Sequence, residues 1–503
     1  MNRLLLCLKR GTPKKWLPGL ALMFSVTGFS QPTINQFTPD NGAVGTLVSI
    51  TGTNLNNPSA IMIGGIAAIP ISNDGTTLVA MLMPGATTGG VSVTTGGGTA
   101  NGPGNFSVTA SLVPNSQQGN KLVGNGAAGN AYQGISVAIS ADGNTAIVGG
   151  IFDNNQVGAA WIFTRSGGTW VQQGSKLVGT GAVGSSQQGY SVAISADGNT
   201  VIVGGYTDNF NEGAAWIFTR TAGVWSQQGN KLVGTGATGN AYQGTSVAIS
   251  ADGNTAVVGG FNDAGDKGAT WIFTRTAGVW TQQGNKLVGT GATGNARQGW
   301  SSAISADGNT VMVGGYRDNG NAGASWVFTR TGGIWTQEGN KLVGTGAAGN
   351  ANQGLSVSLS ADGNTALLGG ISDNAGLGAS WIFTRSGGIW TQQGNKLVGS
   401  GAVGNGSQGY GVSLSADGNT AIVGGYADNS QVGAAWIFTR SGTTWSQQGA
   451  KLVGTGAVGS AWQGRSAAIS ADGNTAIVGG YFDNSNAGAA WVYIYLPPAP
   501  TII

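Results

Sequence analysis

QGISVAISADGNTAIVGG, residues 133–150, decides the fold. Two runs of apolar and small residues, SVAIS and TAIVGG, flank Asp142-Gly143, a pair that readily takes the backbone angles of a tight hairpin turn. The stretch therefore reads as two antiparallel strands. Its hexapeptide SADGNT starts again at residues 140, 195, 250, 305, 360, 415 and 470, an unbroken spacing of 55. A period of that length marks a propeller, solenoid or array. WIFTR or a close variant follows each copy, from Trp161, Trp216, Trp271, Trp326, Trp381, Trp436 and Trp491, the last reading WVYIY. After Trp161 the chain turns through Gly167-Gly168 into a strand expected from Thr169 to Val178, which sets Arg165 opposite Trp170, cation against indole. Four antiparallel strands per unit make a propeller blade. Glycine and β-branched content excludes a helical solenoid.

Counting strands gives the closure. Six of the seven units are followed by a full-length stretch of the form W-x-Q-Q-G-N-K-L-V-G with at most one substitution, the seventh ends at WVYIYLPPAP, and an orphan copy, SQQGNKLVG at 116–124, precedes the first. The last blade is expected to take its fourth strand from the N-terminal side, which removes the open edge of the ring. The fold class is all-β: a seven-bladed β-propeller over 111–496 behind an N-terminal Ig-like β-sandwich over 31–110.

Composition narrows the function. The 503 residues include 94 glycines, no histidine and one cysteine, Cys7. Cys7 lies in a segment expected to be removed, so the mature chain has no imidazole base, thiol nucleophile, disulfide or His/Cys metal site. The formal charge of +3 is dominated by Arg3, Lys9, Arg10, Lys14 and Lys15, and without them 17 basic residues face 19 acidic ones. That balance gives no attraction to nucleic acid or to an anionic membrane. Residues 1–30 combine this basic region with an apolar stretch from Trp16 to Phe29 and small residues before Gln31, the pattern of a secretory signal peptide. The stretch is shorter than the ~20 residues that span a bilayer, and no other segment is apolar enough to cross one. The expected location is secreted or cell-surface. A Pro-rich tail occupies 497–503.

Residues 32 to about 110 hold no Lys, Arg or Trp, and alternating runs LVSIT (47–51), AIMIG (60–64) and VSVTT (91–95) are separated by turn residues. They read as a small antiparallel sandwich. The wording PTINQFTPDNGAVGTLVSITGTNL at 32–55 and VTTGGGTANGPGNFSV at 93–108 resembles the IPT/TIG immunoglobulin-like family. The resemblance implies an extracellular spacer or adhesion module without catalysis.

The repeats resemble FG-GAP repeats, the blades of the integrin-alpha type propeller, over 116–495. That family's Phe-Gly and Gly-Ala-Pro signatures stand here as Gln133-Gly134 and Gly149-Gly150. Many family blades carry a calcium loop of several aspartates between their first two strands, whereas each blade here has one, at Asp142, Asp197, Asp252, Asp307, Asp362, Asp417 and Asp472. One carboxylate does not supply the six or more oxygens calcium prefers, so these read as turn residues. A second aspartate recurs at Asp153, Asp208, Asp263, Asp318, Asp373, Asp428 and Asp483, usually before Asn. It is expected to cap its own turn, with the sharper alternative a carboxylate ring that holds a cation or a basic ligand. No cofactor is expected otherwise, and calcium is the metal left open.

The seven copies disagree at particular places. The residue before Gln-Gly is Tyr132, Gln187, Tyr242, Arg297, Asn352, Ser407 or Trp462; the residue after it is Ile135, Tyr190, Thr245, Trp300, Leu355, Tyr410 or Arg465. The second strand is followed by Ile151, Tyr206, Phe261, Tyr316, Ile371, Tyr426 or Tyr481. Antiparallel pairing gathers these positions on one face near the ring axis. The candidate ligand-binding residues are Tyr190, Tyr206, Trp300, Tyr316, Tyr410, Tyr426, Trp462 and Tyr481, aromatic platforms of the kind that hold sugars and peptides. With no pair of acidic residues suited to glycosidase work, the expectation is a non-enzymatic recognition or adhesion protein for an extracellular glycan or protein. A structural spacer is the alternative, and a propeller-type polysaccharide lyase or glycosidase the third.

Overall fold

The structure, a computed structural model, describes residues 30–497. The expected leader and tail lie outside the described residues but for Ser30 and Pro497.

The 55-residue period builds seven four-stranded sheets. In the first blade the strands are Gln133–Ile139, Thr145–Gly150, Ala159–Ser166 and Thr169–Gln172, hydrogen-bonded in that order. Thr145–Gly150 is buried throughout, because neighbouring blades cover both faces of the sheet. Trp161 and its six equivalents are among the largest fully buried side chains. The Trp161 indole N–H donates to the Asn125 carbonyl at 2.9 Å. The glycine of each L-V-G stretch makes room for this indole: a Cβ at Gly124 would lie 2.1 Å from the Trp161 ring.

The seventh blade consists of Ser466–Ile469, Thr475–Gly480 and Ala489–Ile494, and its fourth strand is Ser116–Gln117. Ser116 stands opposite Ile494, Gln117 opposite Tyr493, and Leu122 bridges Ala490. Near the axis the ring is also closed by main chain. The Ala141 N–H donates to the Ala196 carbonyl, the pattern repeats through Ala251, Ala306, Ala361, Ala416 and Ala471, and the Ala471 N–H returns to Ala141 at 3.1 Å.

Two local expectations change. The fourth strand ends at Gln172 rather than running to Val178. The chain turns at Gly174, with φ 71°, before Leu177 rejoins Ala160 in a single bridge. Gln172 causes the break by donating to the Gly174 carbonyl while accepting from the Asn125 N–H. The first hairpin is also longer than a two-residue turn: the Ser140 N–H donates to the Thr145 carbonyl, and of the Asp-Gly pair Gly143 alone has positive φ. The loop therefore holds four residues, Ala141 to Asn144, and the Ala141 backbone serves the inter-blade ring. Arg165 and Trp170 do pair as expected, with the guanidinium 5.4 Å from the indole centroid.

The N-terminal domain is a sandwich of a four-stranded and a five-stranded sheet, with Val48, Ile50, Ile63, Leu78 and Phe106 in its core. Its Ile71, Met81 and Met83 pack on the alanine ring of the propeller. A cavity of about 220 Å³ inside that mouth is lined by Met81 and the inner strands. Gly45 permits the close approach, since with φ 95° a Cβ there would lie 2.4 Å from the Ala471 carbonyl. One end of the channel is thus covered by the sandwich. Among the described residues no helix is long and apolar enough to cross a membrane.

Candidate functional site

The opposite mouth is where the copies differ. Each inner strand is preceded by a Gln-Gly pair, and the buried glutamine is locked: Gln133 Oε1 accepts from the Gly124 N–H at 2.6 Å and its Nε2 donates to the Gly124 carbonyl. This fixes a rigid mount for the residues on either side. Those after the pair line a funnel of about 190 Å³ that includes Ile135, Tyr190, Thr245, Trp300, Leu355, Tyr410 and Arg465.

Those before the pair share a demanding backbone. Tyr132, Gln187, Tyr242, Arg297, Asn352, Ser407 and Trp462 all have φ between 50° and 59°. For a non-glycine residue this left-handed conformation costs about 1 kcal/mol. None of the seven is glycine, in a chain that has 94 of them.

All eight expected site residues lie on this face, half-buried, and they join into two aromatic arcs. Tyr190 contacts Tyr206, with centroids 4.2 Å apart, and the contacts continue through Tyr242, Phe261 and Trp300 to Tyr316. Tyr410 contacts Tyr426, and that arc runs through Trp462, Tyr481 and Tyr132 to Phe152. Tyr132, Phe152, Tyr242, Phe261 and Phe482 were not in the expected set. Tyr132, Tyr242 and Phe261 stand at the same variable positions, and Phe152 and Phe482 at the equally variable next one, so the comparison of copies already contained the signal.

Arg465 was also left out. Its guanidinium carbon sits 3.9 Å from the Tyr410 ring centroid and 5.8 Å from that of Tyr481. Burial pushes the Tyr410 and Tyr481 hydroxyls up to about 12, against an opposing pull from Arg465. Burial likewise raises Tyr190 and Tyr206. These phenols are neutral donors at physiological pH. Arg297 is differently placed, bonded to Asp266 and to the Tyr316 hydroxyl.

Neither expectation for the Asp153 series survives. Asp153 Oδ1 accepts from the Ala128 N–H, 25 residues upstream, and Oδ2 accepts from Lys176 Nζ at 2.6 Å. Asp208, Asp263, Asp318, Asp373, Asp428 and Asp483 pair in the same way with Lys231, Lys286, Lys341, Lys396, Lys451 and Lys121. Each aspartate latches a neighbouring loop instead of capping its own turn, and its charge is already neutralised by an ammonium, so the series is not a ring of free cation ligands. The residue after it, most often Asn, takes a left-handed conformation, as Asn154 does with φ 48°. The hairpin aspartates act as turn formers: Asp142 Oδ1 accepts from the Ser140 hydroxyl and the Asn144 N–H. Among the described residues no three His, Cys, Asp or Glu side chains converge on a metal-sized site.

Residues 32–108 match the IPT/TIG domain family. No curated protein matches the chain. Among solved structures it is similar to the Kuenenia stuttgartiensis hydrazine synthase, at 13% identity and a TM-score of 0.47, over 75% of this chain and 98% of that one.

Proposed function

We propose that the protein is an exported, non-catalytic recognition or adhesion module that binds an extracellular glycan or protein on the aromatic face of an FG-GAP-like, integrin-alpha-like propeller. The observation that carries this reading is the funnel at the mouth the sandwich leaves open, where the blades differ from one another and Tyr190, Trp300 and Tyr410 join the aromatic arcs. The sandwich over the other mouth leaves this face as the accessible end of the channel.

A non-catalytic role fits how the acidic groups are used. Seven aspartates pair with lysines and seven shape hairpins. Of the rest, Asp40 and Glu212 accept from asparagines, Asp74 from Thr76 and Thr77, Asp266 from Arg297, and Glu338 from Arg385 and Trp390. The leader-like first thirty residues support export.

A glycan and matrix-protein array tests the reading. Selective capture of a defined ligand set is expected. Uniform inertness sinks it in favour of a structural spacer, and turnover of any polysaccharide in favour of a lyase or glycosidase.

A further inference from the structure

Two departures from the repeat, one in the seventh blade and one in the sixth, break the symmetry around the funnel. The first is Arg465. At this position the other blades carry Ile135, Tyr190, Thr245, Trp300, Leu355 and Tyr410, all neutral. The fold therefore accepts an uncharged side chain here. Among the described residues Arg465 makes no ion pair, its ring neighbours are Tyr410 and Tyr481, and the funnel lining holds no carboxylate. The half-buried guanidinium is held by phenols, Tyr481 among them, and has no carboxylate counter-charge.

The second is the carbonyl of Gly464. Around the funnel the Ser136 hydroxyl donates to the Gly189 carbonyl at 2.7 Å, and Ser191, Ser246, Ser301, Ser356 and Ser466 do the same to the next blade. The sixth blade has Gly411 in place of the serine, so the Gly464 carbonyl lacks this donor. Gly411 is forced by close packing, since a Cβ there would lie 2.8 Å from the Ala467 nitrogen. The funnel thus holds a cation without a carboxylate partner, with Trp300, Tyr190 and Tyr410 around it, while the buried Gly464 carbonyl is not part of its lining.

We infer that the funnel takes a sugar residue bearing an oxyanion, a carboxylate or a sulfate ester, with the anion on Arg465 and the apolar ring face against the aromatics. This rests on the recognition reading above and specifies its ligand class. Guanidinium matches the geometry of such oxyanions. A peptide strand fits less well, because the serines already occupy most of the carbonyls at the mouth that strand pairing would use.

The test titrates the full chain and its Arg465→Leu variant with a hexuronate oligosaccharide, a sulfated oligosaccharide and a neutral oligosaccharide of the same length. At least one anionic probe should bind about tenfold or more tighter than the neutral one. The variant should lose that preference with an unchanged or higher melting temperature, because the charge it removes is unpaired. The tighter anionic probe identifies the oxyanion. Equal binding by the variant, an anionic probe no better than the neutral one, or Arg465-dependent capture of a peptide C-terminus in preference to sugars overturns the inference. Capture of neutral glycans or peptides alone leaves the recognition face standing without this ligand class; an array on which nothing binds removes both.

Discussion

Lys121 donates to Asp483 at 2.5 Å across 362 residues of chain, the contact that Lys176 makes with Asp153 inside a single blade. The orphan N-terminal stretch thus supplies the seventh blade with both its outer strand and its lysine. Asp483 is buried while Lys121 is 19% exposed. Removing the ammonium leaves a buried carboxylate unpaired, so Lys121→Met should destabilise the protein by about 3 kcal/mol. Deleting 111–124 should in addition expose the Ala489–Ile494 edge and cause association between chains. A deletion variant that stays monomeric with an unchanged melting temperature contradicts the closure.

Tyr493 stands where the other blades have phenylalanine, such as Phe163, and its buried hydroxyl has no hydrogen-bond partner. Burial drives its ionisation far above the ordinary tyrosine range. Tyr493→Phe should therefore stabilise the protein by about 1 kcal/mol, read from the denaturation midpoint. A lower midpoint would mean that the hydroxyl is satisfied after all.

Much of the fold was legible because the repeat states it seven times: the period, the Gly-Gly hairpin that sets Arg165 on Trp170, and the missing strand at the end of the ring. The Asp–Lys latch was missed, although the lysine of each N-K-L-V-G-type stretch recurs as often as Asp153 does. The two lie 23 residues apart, and only folded loops bring them together. Arg465 was visible as one of seven variable residues. Its lack of a counter-charge was not, because that depends on which groups from neighbouring blades reach the mouth. The sandwich covering the alanine ring is a tertiary contact that no local pattern in Ile71 or Met81 announces.

Calcium should leave the melting temperature unchanged, and so should a chelator. A cation at the Asp153 series would have to displace seven bonded lysines, and a tight native-state ligand would raise stability by mass action. A calcium-dependent rise of several degrees would show a site elsewhere among the acidic groups.

Alkaline pH should destabilise the fold in a defined window. Tyr410 and Tyr481 are raised from 10 to about 12. Between those values the native state keeps protons that the unfolded chain has released, so stability is complete below pH 10 and falls as pH rises toward 12. A Tyr410→Phe/Tyr481→Phe variant should show a shallower fall. Phenolate absorbance in which all tyrosines of the native protein titrate together near pH 10 contradicts the burial of the arcs.

The separation of recognition from folding is tested most directly by two variants on the same ligand array. Trp271 is fully buried between blades, whereas Trp300 and Tyr410 line the funnel half-buried. Trp271→Ala should cost about 3–5 kcal/mol of stability as a core truncation. Trp300→Ala/Tyr410→Ala should abolish capture of the array ligand while its melting temperature stays close to that of the parent. If the double variant instead unfolds like Trp271→Ala, or stays folded and still binds, the funnel is not the recognition site.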